Sequence, residues 1–206
     1  MILKSFESDL IFRENTYLLT SGGKAILIDP GAEPELLIGE IFSGGYKLLA
    51  VLATHGHVDH VLSAKPLCER FGSPFYMHGG DRGWLEDLQK MCTRFRLPYY
   101  GTPLMNHDLA ECSELDLDPF HFKVLHTAGH SEGSVCFLTE DLLFSGDTLF
   151  RRSVGRTDLP GGDLALLKRS IRETILTLPE ETRVYPGHLE ATKIADEKCH
   201  NPFLVL

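Results

Sequence analysis

Four side chains that commonly bind metal ions in proteins fall within six consecutive residues of this sequence. His55, His57, Asp59 and His60 form the pattern H-x-H-x-D-H, and the apolar run of residues 48–53 comes shortly before it. Such a run predicts a buried strand. Imidazole and carboxylate groups suit zinc, iron or manganese, and polar groups crowded at the end of a buried strand need a partner that satisfies them. The stretch therefore predicts a metal site, with a histidine-rich surface loop as the alternative.

Three more candidate ligands follow predicted strands further along the chain. His130 and His188 each come directly after a glycine, as His57 does, and Asp147 follows Gly146 at the end of another strand. Glycine permits a sharp backbone turn at the end of a strand. Ligand sites in layered α/β proteins form where several strand ends converge. We therefore expect these side chains to meet the first four in one space.

One arrangement uses all seven side chains and binds two metal ions. In this arrangement the first ion is held by His55, His57 and His130. The second ion is held by Asp59, His60 and His188, and Asp147 bridges both ions. Two cations about 3.5–4 Å apart share a water molecule and lower its pKa towards about 7. This arrangement predicts that Asp59 and Asp147 hold a metal-bound hydroxide that acts as the nucleophile.

The composition is that of a globular protein and argues against several classes. The 206 residues are 43% hydrophobic, and the formal net charge of −9 disfavours a nucleic-acid partner. We expect no membrane span, because no apolar run is long enough, and no signal peptide. The five cysteines include no C-x-x-C pair, which favours reduced thiols and a cytoplasmic location. We expect one domain over residues 1–206, and the sequence carries no signal of oligomeric state.

Turn residues and apolar periodicity divide the chain into strands and helices. Helices are predicted from Pro34, from Ser63 to about Phe71, from Asp81, from Asp163 and over residues 190–198, with Ser63, Asp81 and Asp163 as N-caps. Residues 96–106 and 151–162 are predicted as irregular loops. In the first loop Tyr99 and Tyr100 are candidates for lining a substrate pocket, although packing is the favoured role for both.

Four motifs together resemble the metallo-β-lactamase superfamily. They are T-H-x-H-x-D-H at residues 54–60, H-T-x-G-H-x-x-G-S at 126–134, S-G-D-T-L at 145–149 and Y-P-G-H at 185–188. Within this superfamily the chain is similar to the glyoxalase II-like hydrolases, and especially to a short bacterial subgroup of them. The resemblance implies an α/β fold, namely a four-layer αβ/βα sandwich with the metals at one edge of two sheets. It also implies the seven ligands given above, with Asp29 as a bracing residue.

The resemblance further implies hydrolysis of a small-molecule thioester such as S-lactoylglutathione. Two divalent metal ions are the implied cofactors, with zinc as the expected metal and iron or manganese as alternatives. Hydroxide would attack the carbonyl group, and the thiolate that leaves has a conjugate pKa of about 8.5 and needs little help from an acid. The chain departs from glyoxalase II in one respect. Only eighteen residues follow His188, where those enzymes continue into a helical domain with glutathione contacts.

The loop that follows Asp147 contains the remaining candidate substrate contacts. Arg151 and Arg156 lie in this basic, glycine-rich stretch. An arginine side chain can grip a substrate carboxylate with two parallel hydrogen bonds. The alternative for Arg156 is a pairing with Asp158 that braces the loop, and the sequence does not decide between the two.

Two other functions stay open. The run G-R-T-D at residues 155–158 is shared with the persulfide dioxygenases, whose single iron would be held here by His55, His130 and Asp147. That family normally has cysteine before the run and Phe-Gln after it, whereas valine precedes it here and Leu-Pro follows. The third possibility is a protein that metal ions stabilise without catalysis. The presence of every expected ligand argues against it.

Overall fold

A computed structural model of the chain describes residues 1–204, and its first half forms a six-stranded sheet. The strands of this N-terminal sheet are β1 (Ile2–Glu7), β2 (Asn15–Ser21), β3 (Lys24–Ile28), β4 (Lys47–Leu52), β5 (Phe75–Met77) and β6 (Met105–Asp108), side by side in chain order. β1, β2 and β3 are antiparallel, and β3 to β6 run parallel. The carboxyl ends of the parallel strands therefore lie at one edge of the sheet.

The remaining strands form a second six-stranded sheet and a short ribbon. They are β7 (Glu114–Leu117), β8 (Phe120–His126), β9 (Val135–Thr139), β10 (Leu142–Gly146), β11 (Leu149–Phe150), β12 (Ser153–Val154), β13 (Arg183–Pro186) and β14 (Thr192–Lys193). The C-terminal sheet has the order β14-β13-β10-β9-β8-β7, and β11 pairs with β12 separately. Because β10 and β13 are parallel, their carboxyl ends also share one edge.

In the part of the chain that the structure describes, seven α-helices connect and cover the strands. They are α1 (Pro34–Ser43), α2 (Val58–Val61), α3 (Ala64–Phe71), α4 (Arg82–Glu86), α5 (Leu88–Phe95), α6 (Leu164–Ser170) and α7 (Ile194–His200). A 3-10 turn, Gly79–Asp81, precedes α4, and a π-helical turn, Ile171–Ile175, extends α6. Among the residues that the structure describes, no helix has the length and apolar character needed to cross a bilayer.

The two sheets pack face to face on a shared apolar layer. Tyr17 and Ile26 of the N-terminal sheet belong to one buried cluster with Phe122, Phe137 and Phe144 of the C-terminal sheet. Side chains alternate between the two faces of a strand. The residues between those in the shared layer therefore point outwards, towards the helices.

Helices cover the outer face of each sheet. Leu37 of α1, Leu67 of α3 and Leu88 of α5 are buried in a second cluster with side chains of the N-terminal sheet. Leu167 of α6 and Ile194 of α7 are buried in a third cluster with side chains of the C-terminal sheet. The order helix, sheet, sheet, helix is the four-layer αβ/βα sandwich, and the predicted fold is confirmed. Burial on both faces explains why the inner strands are apolar throughout.

The helices predicted after Ser63 and Asp81 are present, but neither side chain caps its helix. The helix predicted up to about Phe71 is α3, and a separate short helix, α2, begins before it at Val58. The hydroxyl of Ser63 caps neither helix, because it donates a hydrogen bond to the carbonyl oxygen of Ala32 at 2.6 Å. Asp81 likewise makes no side-chain cap, and the predicted helix that follows it divides into α4 and α5 at Asp87.

The end of the chain and two edge strands also differ from the predictions. The last helix starts at Ile194 and not at residue 190, because Thr192–Lys193 pairs with β13 as an edge strand. The strands β6 and β7 are not predicted, since both are short and carry polar residues in place of an apolar run. The predicted N-cap at Asp163 is confirmed, because its carboxylate accepts a hydrogen bond from the Leu166 N–H at 2.9 Å.

Candidate metal centre

The turn between β4 and α2 brings the first four candidate ligands to the edge of the N-terminal sheet. His55 and His57 lie in the turn itself, and Asp59 and His60 lie in the first turn of α2. His55, His57 and His60 are buried. A Cβ atom on Gly56, between the first two histidines, would lie 2.9 Å from the Cβ atom of Asp81, so glycine lets this turn pack against the segment that carries Asp81.

Three imidazole nitrogens converge on one point. The Nε2 atom of His55 lies 3.0 Å from Nδ1 of His57 and 3.2 Å from Nε2 of His130. The distance between His57 Nδ1 and His130 Nε2 is 2.8 Å. Three nitrogens bound tetrahedrally to one zinc ion at about 2.0–2.1 Å would lie about 3.3 Å from one another. The triangle therefore has nearly the size that a metal ion requires.

A second group of ligand atoms lies next to this triangle. Asp59, His60 and His188 each offer an atom within 4.8 Å of the others, and His188 Nε2 is 3.4 Å from Asp59 Oδ2. The carboxylate of Asp147 lies between the two groups. Its Oδ1 is 3.4 Å from His60 Nε2, and its Oδ2 is 3.6 Å from His130 Nε2 and 3.5 Å from His188 Nε2. The structure thus brings all seven predicted ligands together, and we call them the ligand cluster.

Glycines at the strand ends make this convergence possible. Gly129 adopts a φ of +137° just before His130, which favours glycine over any other residue. A Cβ atom on Gly187 would lie 2.4 Å from Cε1 of His60 and 2.5 Å from Oδ1 of Asp147. The two sheet edges can therefore approach each other only because this position carries no side chain.

Buried polar atoms without partners show that the cluster fits a metal. Among the described residues, His60 Nε2 and Asp147 Oδ1 are fully buried and make no hydrogen bond. Each such atom costs about 1–3 kcal/mol unless it is satisfied. Both atoms face each other across 3.4 Å, a separation that suits two ligands of one cation better than a hydrogen bond. Imidazole nitrogen with carboxylate oxygen is also the ligand set that zinc and iron accept.

The ionisation of the cluster agrees with this fit. Burial lowers the pKa of His55 well below its ordinary value and that of His57 to about 3, so both imidazoles are neutral at pH 7. Burial opposes the charged forms of His60 and Asp147, yet their mutual attraction raises the pKa of the imidazole and lowers the pKa of the carboxyl group. Neutral imidazole and ionised carboxylate are the forms that bind metals, so a metal ion would take the place of the proton that His60 holds beside Asp147. The cluster thus favours positive charge beside its carboxylates.

The family assignment follows from comparison with known proteins. Residues 11–188 match the family model described as the metallo-beta-lactamase superfamily. This chain belongs to that superfamily. "Probable metallo-hydrolase YqgX" of Bacillus subtilis is 38% identical over 194 residues, which cover 92% of each chain. "Hydroxyacylglutathione hydrolase GloC" of Haemophilus influenzae is 38% identical over 198 residues, which cover 94% of this chain and 93% of the relative.

Solved structures of the superfamily have the same architecture. BLEG-1 B3 metallo-beta-lactamase aligns with a TM-score of 0.92 at 39% identity, covering 98% of this chain and 99% of its own. TTHA1623 in a di-iron-bound form aligns with a TM-score of 0.88 at 39% identity, covering 99% of this chain and 100% of the TTHA1623 chain. ETHE1 from Myxococcus xanthus aligns with a TM-score of 0.74 at 30% identity, covering 98% of this chain and 84% of the ETHE1 chain. The chain is thus a metal-dependent hydrolase of this superfamily, with a metal site of histidines and aspartates.

Asp29 and Thr54 orient one histidine of the superfamily site. The Oδ2 atom of Asp29 lies 3.0 Å from His60 Nδ1, and the same carboxylate accepts hydrogen bonds from the Thr54 N–H and hydroxyl, both at 2.7 Å. A carboxylate on the outer nitrogen of a metal-binding histidine fixes the ring and its tautomer. The bracing role expected of Asp29 has this contact as its structural basis.

The backbone of the loop after β12 orients another histidine. His130 Nδ1 lies 2.7 Å from the carbonyl oxygen of Arg156, which accepts its hydrogen bond. Gly155 allows this approach, since a Cβ atom there would lie 1.9 Å from the carbonyl oxygen of Asp147. The turn between β11 and β12, which leads into this loop, is anchored by the buried carboxylate of Glu197 in α7, which accepts a hydrogen bond from the Arg152 N–H at 2.8 Å. The C-terminal helix therefore supports the ligand cluster through this loop.

The arginines predicted to contact substrate pair with neighbouring acids. The Nε and Nη2 atoms of Arg156 each donate to one carboxylate oxygen of Asp158 at 2.7 Å, and Arg151 pairs with Glu190. Both arginine side chains are more than half exposed. The bracing alternative thus has the contact it requires, and substrate binding by either arginine stays a prediction.

The two candidate tyrosines make different contacts. Tyr99 is exposed, and its hydroxyl lies 3.0 Å from that of Thr102, three residues further on. Tyr100 packs against the cluster of buried side chains that α1, α3 and α5 form with the N-terminal sheet. The contact of Tyr100 matches the favoured role of packing. A role in lining a substrate pocket stays a prediction, and neither contact lends it support.

Asp81 contributes to the site in a way that the sequence prediction misses. Its buried carboxylate accepts hydrogen bonds from the Gly56 N–H at 2.8 Å, the Gly133 N–H at 2.8 Å and the Ser131 hydroxyl at 2.7 Å. It therefore ties the turn that carries His57 to the loop that follows His130. A signal is present in the sequence, because Asp81 follows a strand and two glycines, as other site residues follow strand and glycine.

Substitution of Gly187 tests the close approach of the two sheet edges. We expect Gly187→Ala to lose at least one of two bound metal ions, because the new Cβ would displace His60 and Asp147. Gly39→Ala is the matched control, since a Cβ in that helical position meets nothing within 4 Å. Metal content of the purified variants gives the answer. Full metal occupancy in Gly187→Ala would show that the edge tolerates a side chain.

Proposed function

We propose that this chain hydrolyses thioesters of the hydroxyacylglutathione type, such as S-lactoylglutathione, at a binuclear metal centre. The observation that carries the proposal is the position of Asp147, whose carboxylate contacts histidines of both ligand groups. Such a bridge is what a site for two metal ions requires. The similarity to GloC, a hydroxyacylglutathione hydrolase, supports the choice of substrate class.

The proposed ligands divide between two divalent ions. His55, His57 and His130 would hold one ion through the three converging nitrogens. The other ion would be held by Asp59, His60 and His188, with Asp147 shared. We propose zinc, and iron or manganese as alternatives that the same donors accept. The di-iron form of TTHA1623 supports iron as one of these alternatives.

When bound, a pair of cations lowers the pKa of a shared water and polarises a carbonyl oxygen. The protein's part is to hold the carboxylates of Asp59 and Asp147 ionised and close to that position. Without a metal, burial opposes the ionisation of Asp59, but attraction to His60 and the hydrogen bond from His188 hold its pKa below the ordinary value; in the loaded site the bound cations would replace the proton of His60 in that role. Both carboxylates can therefore accept hydrogen bonds from a nucleophilic water at neutral pH.

A thioester suits a site in which the carboxylates of Asp29 and Asp81 are already hydrogen-bonded. Asp29 is engaged with His60 and Thr54, and Asp81 is engaged with three hydrogen-bond donors. A thiolate with a conjugate pKa of about 8.5 leaves without the proton that an amide nitrogen or an alkoxide needs. We therefore favour a thioester over an amide as the substrate.

We also propose a cytoplasmic location and a small-molecule substrate without a nucleic-acid partner. Cys68, Cys92, Cys112, Cys136 and Cys199 are all free. Free thiols are typical of a reducing compartment. The formal charge of −9 supports the exclusion of polyanionic partners.

A persulfide dioxygenase is the second candidate. His55, His130 and Asp147 could hold a single iron, since His130 Nε2 lies 3.2 Å from His55 Nε2 and 3.6 Å from Asp147 Oδ2. Among the comparisons, the likeness to ETHE1 gives this alternative weak support. It leaves His57, Asp59, His60 and His188 without a use, although they converge equally well. That surplus of ligands favours the binuclear hydrolase.

Metal content and two assays separate these candidates. We expect about two metal ions per chain, hydrolysis of S-lactoylglutathione, and no oxygen consumption with glutathione persulfide. Two cations are expected because both ligand groups are complete. Inductively coupled plasma mass spectrometry gives the metal count, thioester absorbance gives hydrolysis, and an oxygen electrode gives oxygenation. One iron per chain together with oxygen uptake would establish the dioxygenase instead.

Removal of the bridging carboxylate tests the assignment of Asp147. We expect Asp147→Ala to lose metal and to reduce kcat/KM at least about a hundredfold, because ligands of both ions lose their shared partner. Asp141→Ala is the matched control, since Asp141 lies at the opposite end of β10 and pairs with the exposed Arg183. An Asp147→Ala protein that keeps two metal ions would disprove the bridge.

The pair of Arg156 and Asp158 allows the role of the loop to be measured. If Arg156 grips a substrate carboxylate, Arg156→Ala raises KM by about tenfold or less, whereas Asp158→Ala frees the arginine and does not raise KM. We expect this pattern in steady-state thioesterase kinetics. Equal effects of the two substitutions on KM and kcat would assign the pair to bracing the loop.

A further inference from the structure

A cavity of about 300 Å³ lies beside the ligand cluster. Trp84 forms part of its wall, and the indole ring meets the His57 ring edge to face, with 4.4 Å between the ring centres. Glu132, two residues after His130, forms another part of the wall. One wall residue thus contacts a predicted metal ligand, and another lies two residues from one in sequence. We expect a substrate that reacts at the cluster to reach this neighbouring space.

The charged side chains that line the cavity are all acidic. They are Asp81, Asp87 and Glu132, and three glycines and a proline complete the wall with Trp84. The three carboxylates differ in what else they contact. Asp81 accepts three hydrogen bonds from the site loops. Asp87 forms an ion pair with Lys90, with 3.2 Å between Oδ2 and Nζ.

Glu132 is the carboxylate that remains available. Within residues 1–204, no lysine, arginine or histidine side chain lies within ion-pair distance of its oxygens. Its side chain is exposed, whereas its carbonyl oxygen lies 2.9 Å from His126 Nε2. A hydrogen bond to the backbone at this residue helps to hold the segment that presents the carboxylate.

Trp84 adds a second feature that suits a cation. It is half-buried, and its ring packs edge to face against the ring of His57. An aromatic ring and a carboxylate in the wall of one cavity can attract an ammonium group through the electron density of the ring and through charge together. The same surface repels phosphate and other polyanions. The wall therefore selects between thiol carriers by charge.

We propose that this cavity is a subsite for an ammonium group on the thiol carrier of the substrate, held by Glu132 and Trp84. The inference rests on the proposed thioesterase function, because it names the part of the substrate that lies beyond the reacting carbonyl. It favours carriers with a free amino group, such as a γ-glutamyl peptide. Carriers that end in several phosphates would bind weakly.

Trp84 provides a direct measurement of this binding. It is the only tryptophan of the chain. A change in tryptophan fluorescence therefore reports that a probe has bound in the cavity or next to His57. The probes are S-hexylglutathione, a thioether that cannot be hydrolysed, and its N-acetyl derivative, which lacks the ammonium charge. With the metal-loaded protein, we expect the N-acetyl derivative to bind about three- to fivefold more weakly.

Variants assign this difference to one side chain. We expect Glu132→Gln to weaken the binding of S-hexylglutathione about three- to fivefold and to leave the binding of the N-acetyl derivative unchanged. The two probes would then bind to this variant with the same affinity. Glu173→Gln removes the same charge from the exposed face of the helix that extends α6 and keeps the full difference between the probes. Equal binding of both probes to the unmodified protein would overturn the proposal. Weakening of both probes by Glu132→Gln to the same extent would also overturn it.

The binding measurement separates this proposal from the thioesterase proposal. Because the thioether is not cleaved, its binding does not depend on catalysis. Preference for the ammonium probe without any hydrolysis of S-lactoylglutathione would support the subsite and reject the thioesterase. Hydrolysis of S-lactoylglutathione with no preference between the probes would support the thioesterase and reject the subsite.

Discussion

The carboxylate of Asp147 and the histidines around it form the interaction on which the architecture of the site depends. A buried carboxylate is costly unless charge and hydrogen bonds surround it. Here His60, His130 and His188 each place a ring nitrogen 3.4–3.6 Å from its oxygens. These histidines follow β4, β8 and β13, while Asp147 follows β10. Both sheets must therefore end at the same edge, and the apolar layer between them holds that alignment.

Space between the sheets limits what the chain can place at this edge. Gly187 and Gly155 approach His60 and the Asp147 backbone so closely that a Cβ atom would overlap them. Two contacts then fix the rings, with Asp29 on His60 and the Arg156 carbonyl on His130. Tight packing and outer hydrogen bonds act together here, because a ligand displaced by even a fraction of an ångström would bind a metal less well.

Much of the fold and the ligand set can be predicted from the sequence because both leave local signals. Apolar runs mark the inner strands, and a glycine before His57, His130 and His188 marks the turn that each strand end requires. Contacts that join distant loops leave weaker signals. The role of Asp81 depends on backbone N–H groups of Gly56 and Gly133, which every residue type except proline possesses. Polar edge strands such as β6 escape prediction for a related reason, since they bury too little to need apolar residues.

The hydrogen bond between His130 and residue 156 has a consequence for substitutions at that position. The acceptor is the backbone carbonyl of Arg156, and the guanidinium of the same residue takes no part in it. Every amino acid supplies that carbonyl. Substitutions at position 156 can therefore change the side chain that the loop presents to solvent while the ring of His130 keeps its hydrogen bond. The orientation of this ring thus depends on the path of the backbone and is independent of the side chain at position 156.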